Sequence, residues 1–396
     1  MNYRNNRNGE PLSVLGYGCM RFTKNGSSID IDKAEREVAR AVELGVNYFD
    51  TAYIYPGSEV AVGEIFRRLG CRKDINIATK LPQYLIKSSA ALDKYFNEQL
   101  QRLQTDYVDY YLMHMITDIA AWEKLKKLGI EEWIKKQKSS GRIRNIGFSF
   151  HGNTDMFLEV LNSYDWDFCQ IQYNYLDEHT QAGRRGLKAA AKKGIPVIIM
   201  APLRGGKLVE LLPDPAKKLI ADAPEKNGRK LSAADWGYRW LWDQPEVTCV
   251  LSGMNSLQMV EENARNASEA AAGGFTEADF AMIDAVKAEI NKNVKVNCTG
   301  CNYCLPCPQG IDIPLAFRCW NRMYTENKMS GRKEYLQIMA LQKDMPDAGS
   351  CTGCGKCARH CPQHIDIPAE LKKARSALTP APVRLALRAV RMFKFW

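Results

Sequence analysis

The sequence predicts an α/β fold, a (β/α)8 TIM barrel followed by a smaller, mainly helical domain that is rich in cysteine. Eight short β-rich runs alternate with helical apolar periodicity over about 290 residues, close to the roughly 250 residues of a typical barrel with loop insertions. After them, one cysteine motif occurs twice. We therefore predict a barrel over residues 1–288, a helical domain over 289–378 and a basic amphipathic tail over 379–396.

The composition is that of a globular protein and excludes disordered and collagen-like chains. Of 396 residues, 45% are hydrophobic and 25% are charged. The sequence has no apolar run of about 18 residues and starts with the polar stretch MNYRNNRNGE, so a cytoplasmic protein is expected. The formal net charge is +10, but no zinc-finger, helix-turn-helix or RNA-recognition pattern accompanies it. Nucleic-acid binding is therefore not predicted.

Local patterns predict the individual elements. Ser88 and Ser232 precede amphipathic runs and are expected to cap helices with their hydroxyl groups. Between the two cysteine motifs, apolar residues at three- and four-residue spacing predict further helices. The eight β-rich runs span Leu15–Cys19, Asn47–Asp50, Ile75–Thr79, Tyr107–Met113, Arg144–Ser149, Phe168–Gln172, Ile195–Met200 and Thr248–Leu251.

Eight of the 13 cysteines form the repeated motif, which reads CTGCNYCLPCPQGIDIP at 298–314 and CTGCGKCARHCPQHIDIP at 351–368. Each CxxCxxC run supplies three thiolates to one cavity, as a [4Fe–4S] cube requires, and the fourth comes from elsewhere. The final Cys-Pro resembles that of two-cluster bacterial ferredoxins, in which this cysteine crosses to the other cluster. The resemblance implies one cluster on Cys298, Cys301, Cys304 and Cys361, and a second on Cys351, Cys354, Cys357 and Cys307.

Two tetrahedral zinc sites are the alternative for these cysteines. Zinc usually takes two ligand pairs with a longer spacer between them, so a third cysteine in each run would be surplus. The first run also departs from the ferredoxin pattern, because only two residues separate Cys304 from Cys307 where three are expected.

Polar side chains follow three neighbouring predicted strands, at the barrel end where such enzymes carry their chemistry. Asp50 ends the second strand, Lys80 follows the third, His114 follows the fourth, and Tyr55 lies in the loop after Asp50. Ionisable groups that converge at one barrel mouth are expected to shift each other's pKa. The alternative is structural, with Asp50 and Lys80 as an ordinary buried ion pair and Tyr55 as a rim aromatic.

The stretches around these residues resemble the aldo-keto reductase family over residues 1 to about 290. They read GVNYFDTAYIYPGSE, INIATK and LQTDYVDYYLMH, followed in order by GRIRNIGFS, CQIQYNY, MAPLRGGKL and SGMNSLQMVEENA. The cysteine-rich domain and the GFSFH stretch are similar to the ferredoxin-containing branch of the family. The resemblance therefore implies an oxidoreductase that reduces a small carbonyl compound with hydride from NAD(P)H, or oxidises an alcohol in the reverse direction.

The resemblance also implies a catalytic tetrad of Asp50, Tyr55, Lys80 and His114. Tyr55 would be the general acid, and Lys80, held by Asp50, would lower its pKa from about 10 toward neutrality. His114 would donate a hydrogen bond that orients the substrate carbonyl and stabilises developing negative charge.

For the nucleotide, the resemblance implies that Ser149 and Gln172 bind the nicotinamide amide and that Glu262 and Asn263 bind the adenine. Met200 stands where many family members stack a tyrosine on the nicotinamide. The pyrophosphate would lie on the loop after the seventh strand, with Arg204 and Lys207 as cations. This loop consists of Pro202, Leu203, Arg204, Gly205, Gly206 and Lys207.

The preference between NADP and NAD stays open in the sequence. Gly253 and Met254 replace the Lys-Ser pair with which family members grip the 2′-phosphate. A flavin such as FMN is also considered, because nicotinamide transfers two electrons as hydride whereas each cluster transfers one.

Two functions follow from these features. The first is an oxidoreductase whose clusters exchange electrons between the barrel site and a protein redox partner. The second is a redox-sensing or docking iron–sulfur protein, with a barrel that binds nucleotide but is catalytically vestigial; the complete tetrad favours the first. The tail, in which Arg384, Arg388 and Arg391 lie near one helical side, is expected to pack on the helical domain rather than contact a membrane.

Overall fold

A computed structural model describes residues 1–298, 300, 303–341, 346–361 and 363–392, with side chains from 388 onward outside that description. The chain forms two compact units. The first comprises Met1–Glu178, Ala182–Val209 and Ala223–Phe280, and the second comprises His179–Gln181, Glu210–Asp222 and Ala281–Trp396. Among the helices in the described part, none combines the length and apolar character needed to cross a membrane.

Eight parallel strands of the first unit close into a barrel, in the order β10-β11-β12-β3-β6-β7-β8-β9. This arrangement confirms the predicted (β/α)8 fold. Two short antiparallel pairs, β1 with β2 and β4 with β5, flank the first barrel strand in the sequence. The strands are β1 Tyr3–Asn5, β2 Pro11–Ser13, β3 Leu15–Gly18, β4 Lys24–Asn25, β5 Ser28–Ile29, β6 Tyr48–Asp50, β7 Asn76–Leu81, β8 Val108–Ile116, β9 Ile143–Phe150, β10 Phe168–Gln172, β11 Val197–Met200 and β12 Val247–Ser252.

Two predicted site residues lie inside strands, and not just after strands as the sequence predicts. Lys80 belongs to β7 because the ladder continues to the pair of Lys80 with Leu112 on β8. His114 belongs to β8, since the pairing with β9 resumes after an irregularity and reaches Ile116. Both side chains are therefore fixed by strand backbone rather than by a loop.

Apolar side chains fill the barrel interior below these polar residues. They come from six of the eight barrel strands and from β2, so that no single strand forms this core. Met200 packs against the cluster from its partly exposed position at the end of β11. The cluster consists of Leu12, Tyr48, Ala78, Tyr110, Leu112, Phe168, Ile198, Cys249 and Leu251.

The helices surround the barrel in the first unit and form most of the second. In chain order they are α1 Ile31–Glu43, α2 Ser58–Leu69, α3 Ser89–Leu103, α4 Ile119–Lys127, α5 Ile130–Ser139, α6 Thr154–Asn162, α7 Gly183–Lys192, α8 Lys207–Glu210, α9 Asp214–Asp222, α10 Ala233–Trp242, α11 Leu257–Glu269, α12 Glu277–Asn291, α13 Ile313–Thr325, α14 Lys328–Tyr335, α15 Lys356–Arg359, α16 Ile367–Leu378 and α17 Ala381–Met392.

One of the two predicted serine caps forms as expected. The Ser232 hydroxyl accepts a hydrogen bond from the Asp235 N–H at 3.1 Å, and the Asp235 carboxylate accepts one from the Ser232 N–H at 2.9 Å. Ser88 has the extended backbone of a cap before α3, but its hydroxyl makes no capping hydrogen bond. The prediction of a hydroxyl cap is wrong there, because a cap position does not by itself fix the side-chain rotamer.

The repeated motif folds into the same local structure twice in the second unit. Asp312 accepts a hydrogen bond from the Leu315 N–H at 3.0 Å before α13, and Asp366 accepts one from the Ala369 N–H at 3.2 Å before α16. In each copy the proline of IDIP lies in the first helical turn, where no intrahelical N–H is needed. α13 and α16 share an apolar core with Tyr335.

The tail begins with α17, which packs on that core. Val383 and Leu387 contact it, whereas Leu385 is 71% exposed. Of the tail arginines singled out in the sequence, the Arg384 guanidinium donates to the Thr379 carbonyl at 2.8 Å. The side chains of Arg388 and Arg391 lie outside the described residues.

Candidate active site

A buried ion pair lies at the mouth of the barrel. The Lys80 Nζ donates to the Asp50 Oδ1 at 2.6 Å and to the Thr51 carbonyl at 2.7 Å. The Gln170 side-chain amide donates to the other Asp50 oxygen at 3.2 Å. Asp50 and Lys80 are 4% and 2% exposed, so the pair is held in a fixed, water-poor environment.

Tyr55 and His114 border this pair. The Lys80 Nζ lies 5.2 Å from the centroid of the Tyr55 ring, and the rings of Tyr55 and His114 meet edge to face with centroids 6.1 Å apart. His114 is buried, and its Nδ1 has no hydrogen-bond partner among the described residues. The structure thus brings together all four residues of the predicted tetrad.

The protonation states follow from burial and from the Lys80 charge. Burial alone would lower the pKa of Lys80, but the attraction of the Asp50 carboxylate outweighs burial. The pKa of Lys80 is therefore raised, and the ammonium stays charged. Burial and then Lys80 hold the pKa of His114 well below its usual value, which keeps the imidazole neutral. A neutral imidazole beside a fixed ammonium can donate or accept a hydrogen bond, depending on its tautomer.

The direction of the Tyr55 shift differs from the sequence-based expectation. Burial raises the pKa of Tyr55 above 10, and the nearby Lys80 ammonium only reduces that rise. The expectation of a net decrease is therefore wrong for the protein alone, because the cost of charging a buried phenolate exceeds the attraction of one ammonium. A phenol with a raised pKa remains a proton donor at neutral pH.

Three further side chains at this site were not identified from the sequence. Gln170 fixes Asp50 through the hydrogen bond given above, and the Cys19 thiol and the Tyr84 hydroxyl lie close enough to interact electrostatically with Tyr55. Gln170 was detectable in the CQIQYNY stretch, two residues before Gln172 and therefore on the same side of β10. Cys19 and Tyr84 carry no comparable sequence signal.

The residues predicted to bind nicotinamide lie at the ends of neighbouring strands. Ser149 is buried on β9, and its hydroxyl accepts a hydrogen bond from the Met115 N–H at 2.9 Å. Gln172 ends β10, and its side-chain amide donates to Asp177 at 3.1 Å. Met200 ends β11 and is partly exposed. Their roles remain predictions.

The predicted phosphate loop follows β11. Gly205 and Gly206 have φ of 70° and 91°, a left-handed backbone that favours glycine. Pro202 and Leu203 are buried, and Lys207 is partly exposed at the start of α8. The backbone therefore approaches the surface of the unit at Gly205 and Gly206.

Arg204, predicted as a phosphate cation, is buried in an ion pair. Its guanidinium donates to both carboxylate oxygens of Asp177, at 2.9 Å and 2.6 Å, and only 8% of the residue is exposed. The side-chain amide of Asn174 donates to the same carboxylate at 2.9 Å. Much of the Arg204 charge is thus compensated within the protein.

The predicted adenine contacts lie on α11, after β12. Asn263 is buried and its side-chain amide donates to the Ser252 hydroxyl at 3.1 Å. Glu262 is exposed and accepts a hydrogen bond from Gln258 at 2.9 Å. The pair therefore presents one fixed residue and one residue open to solvent.

The cysteines of the repeat surround the core of the second unit. Cys298, Cys304, Cys307, Cys351 and Cys361 pack against it and Cys357 belongs to it, while Cys354 is exposed and Cys301 lies outside the described residues. Burial raises the pKa of Cys357, and the neighbouring sulfurs of Cys307 and Cys351 add to that rise. Cys307 is thus near the second CxxCxxC run despite its short spacing from Cys304.

These thiols have the chemistry that an iron–sulfur cluster needs. Within the described ranges, no three Cys, His, Asp or Glu side chains lie together as metal ligands. Thiolate donors gathered on one apolar core nevertheless fit a cluster, which requires four sulfur ligands and little water.

Fold and site together define a barrel oxidoreductase. The chain belongs to the aldo/keto reductase family, whose model matches residues 14–288. A model of the 4Fe-4S dicluster domain matches residues 297–365, so the ferredoxin-containing branch suggested by the sequence is confirmed.

Relatives of known sequence and structure match the same fold. An L-galactose dehydrogenase of Arabidopsis thaliana is 27% identical over 299 residues, which are 70% of this chain and 91% of the relative. An aldo-keto reductase of Mycolicibacterium vanbaalenii is 30% identical over 268 residues, covering 65% of this chain and 83% of the relative. The structure of a Klebsiella pneumoniae aldo-keto reductase in complex with NADPH superposes with a TM-score of 0.59 at 22% identity, covering 72% of this chain and 96% of that one.

Proposed function

We propose that the barrel catalyses NADPH- or NADH-dependent reduction of a small carbonyl compound, or the reverse oxidation of an alcohol. The observation that carries this proposal is the charged Lys80, 2.6 Å from Asp50 and 5.2 Å from the Tyr55 ring centroid, beside a neutral His114. An ordinary buried ion pair would not require a tyrosine and a histidine with an unpaired nitrogen on its open side.

The four residues have distinct roles in this proposal. A bound nicotinamide supplies hydride to the carbonyl carbon. Tyr55 donates its phenolic proton to the oxygen that becomes negative, and its raised pKa keeps the proton in place until that charge develops. Lys80 stabilises the phenolate that Tyr55 leaves behind, and Asp50 holds the ammonium in position.

His114 orients the substrate in this scheme. Because its imidazole is neutral, one ring nitrogen can carry a proton and donate to the carbonyl oxygen without adding a full charge to the site. The buried Nδ1 makes no protein hydrogen bond among the described residues, so the tautomer is not dictated by a neighbouring side chain. Proton donors on both Tyr55 and His114 favour an oxyanion between them.

Ser149, Gln172, Met200, Glu262, Asn263 and the loop over 202–207 are proposed to bind the dinucleotide. Their placement at the carboxyl ends of β9, β10 and β11 and on α11 supports this, as does the NADPH bound to the similar Klebsiella pneumoniae enzyme. Gly205 is exposed and Gly206 is partly exposed, so the loop backbone is open to a ligand from solvent.

The second unit is proposed to hold two [4Fe–4S] clusters that exchange single electrons with a protein redox partner. The match to a dicluster model and the position of Cys307 near Cys357 support the crossed ligand sets given above. We further propose domain limits at residues 288 and 378, with the tail as a terminal helix of the cysteine-rich domain.

The proposal is tested on protein purified without oxygen. Iron, sulfide and flavin are quantified first, and about eight irons per chain with acid-labile sulfide are expected. Zinc in place of iron would refute the proposal that the second unit transfers electrons. NADPH and NADH oxidation is then followed with a panel of aldehydes and ketones. Stoichiometric FMN would show that a flavin mediates, whereas nucleotide binding without turnover of any carbonyl would favour the redox-sensing alternative.

A further inference from the structure

An arginine outside the predicted nucleotide site lies between its two glycine-containing loops. Arg21 ends a short 3-10 helix, Cys19–Arg21, directly after β3. A Cβ added at Gly253 would lie 2.8 Å from the Arg21 Cδ, so the aliphatic part of the arginine side chain packs against this glycine. A Cβ added at Gly205 would lie 2.4 Å from the Arg21 Nη2, so the guanidinium reaches the phosphate loop.

The Arg21 charge is available for a ligand. Arg21 is exposed, and its guanidinium has no hydrogen bond or ion pair within the described part of the chain. Arg204, one of the two cations that the sequence indicated, is instead bound through two hydrogen bonds to Asp177 and is 8% exposed. The two arginines therefore differ in whether their charge is already compensated.

The loop itself supplies fewer donors than its sequence suggests. The Arg204 N–H donates to the Ala201 carbonyl at 3.0 Å, and the Gly206 N–H donates to the Leu203 carbonyl at 3.0 Å. These two N–H groups maintain the turn. A cation from outside the loop would therefore add to the binding of a pyrophosphate placed here, because burying uncompensated charge is costly.

We propose that Arg21 binds the pyrophosphate of the dinucleotide and that Gly253 is required to let it do so. A guanidinium presents paired donors that match two phosphate oxygens. The inference rests on the proposed function, since it assumes a dinucleotide on this loop. This role of Arg21 gives a reason for the glycine at position 253, because a larger side chain there would displace the aliphatic part of the arginine.

The test is a direct binding titration with NADPH and with NADH, in which the fluorescence of the nucleotide is measured in the absence of substrate. Arg21→Ala is expected to raise the Kd for NADPH and the Kd for NADH by the same factor of about 10 to 100, as for loss of a charge-assisted hydrogen-bonded pair. Arg67→Ala removes another exposed arginine, which pairs with Glu64 on α2, and should leave both affinities unchanged. A loss confined to NADPH would assign Arg21 to the 2′-phosphate and overturn the proposal.

The positioning role of Gly253 is tested by a double-mutant cycle. Its φ lies outside the left-handed region, so Gly253→Ala is tolerated by the backbone but displaces the Arg21 stem. It should weaken NADPH binding in the parent protein and have no effect in the Arg21→Ala variant. An equal effect in both backgrounds would overturn the positioning role.

Failure of this inference is distinguishable from failure of the proposed function. If the parent protein binds neither nucleotide, the nucleotide-dependent reaction itself is wrong. If the parent protein binds NADPH and Arg21→Ala binds it equally well, only the role of Arg21 is overturned.

Discussion

The Lys80 ammonium and the Asp50 carboxylate are 2.6 Å apart, and both side chains are almost completely buried. A charge in such an environment depends on its partner, because the surrounding protein solvates it poorly. The pair thus has a structural role in addition to its proposed role in tuning Tyr55.

The first prediction concerns stability. Lys80→Met leaves the Asp50 charge buried without its partner and should lower the free energy of unfolding by about 3–5 kcal/mol. Urea denaturation of anaerobically prepared protein measures the change. The double variant Asp50→Asn with Lys80→Met removes both charges and should recover part of the loss.

Lys138→Met is the matched control for this prediction. Lys138 and Asp167 are also 2.6 Å apart, but the Lys138 side chain is 37% exposed. Water replaces the lost partner at such a site, so a change below about 1 kcal/mol is expected. Equal losses for the Lys80 and Lys138 variants would show that burial of the pair does not matter.

The second prediction concerns the general acid. Tyr55→Phe removes the proposed proton donor, and kcat for carbonyl reduction should fall by about 10²- to 10⁴-fold. The Kd for NADPH should not change, because the hydroxyl is assigned to the substrate and not to the nucleotide. Steady-state kinetics and direct nucleotide titration measure the two quantities separately.

Tyr53→Phe controls for the loss of a tyrosine hydroxyl in the same loop. The Tyr53 hydroxyl lies 3.2 Å from the Glu98 carboxylate, and Tyr53 is not a member of the tetrad. This variant should keep kcat within about twofold of the parent. A comparable loss in both variants would mean that the loop conformation, and not the Tyr55 proton, had been disturbed.

The third prediction concerns pH. Reduction requires protonated Tyr55 and neutral His114; burial raises the pKa of the phenol and lowers that of the imidazole. The reduction kcat should therefore be flat between about pH 6.5 and pH 10, the ordinary pKa values of the two groups. The oxidation of an alcohol requires the phenolate, so its rate should rise with pH over the same range.

A pH profile measured for kcat in both directions, with saturating nucleotide, checks this prediction. A fall in the reduction rate with an apparent pKa near 7 would contradict it. Such a result would mean that Lys80 outweighs the burial of the phenol once the nucleotide is bound.

The fourth prediction distinguishes crossed from uncrossed cluster ligation. If Cys307 and Cys354 belong to one cluster, the double variant Cys307→Ser with Cys354→Ser loses a single cluster and keeps about four irons. The double variant Cys304→Ser with Cys354→Ser spans both clusters and should lose nearly all iron. Iron and sulfide analysis on anaerobic protein gives the counts.

Cys71→Ser is the control for these cysteine variants, because Cys71 is a partly exposed barrel cysteine outside both motifs. Its iron content should equal that of the parent. Loss of nearly all iron from the Cys307 and Cys354 double variant would instead favour clusters that each use one cysteine run.

The sequence by itself determined the barrel and the presence of a dicluster domain, and it predicted the four residues that the fold brings together at the barrel mouth. Strand periodicity and spacing are local properties, and an ordered series of motifs leaves few alternatives for the fold. The IDIP turns show the same principle, because Asp312 and Asp366 each precede a proline that starts a helix. Local chemistry was sufficient in these cases.

Only the tertiary structure decided how the charges are distributed. Arg204 and Arg21 look alike in the sequence, but the fold pairs one with Asp177 and leaves the other exposed between Gly205 and Gly253. The direction of the Tyr55 shift likewise follows from burial. Charge pairing and desolvation depend on residues distant in the chain, so local sequence patterns cannot specify them.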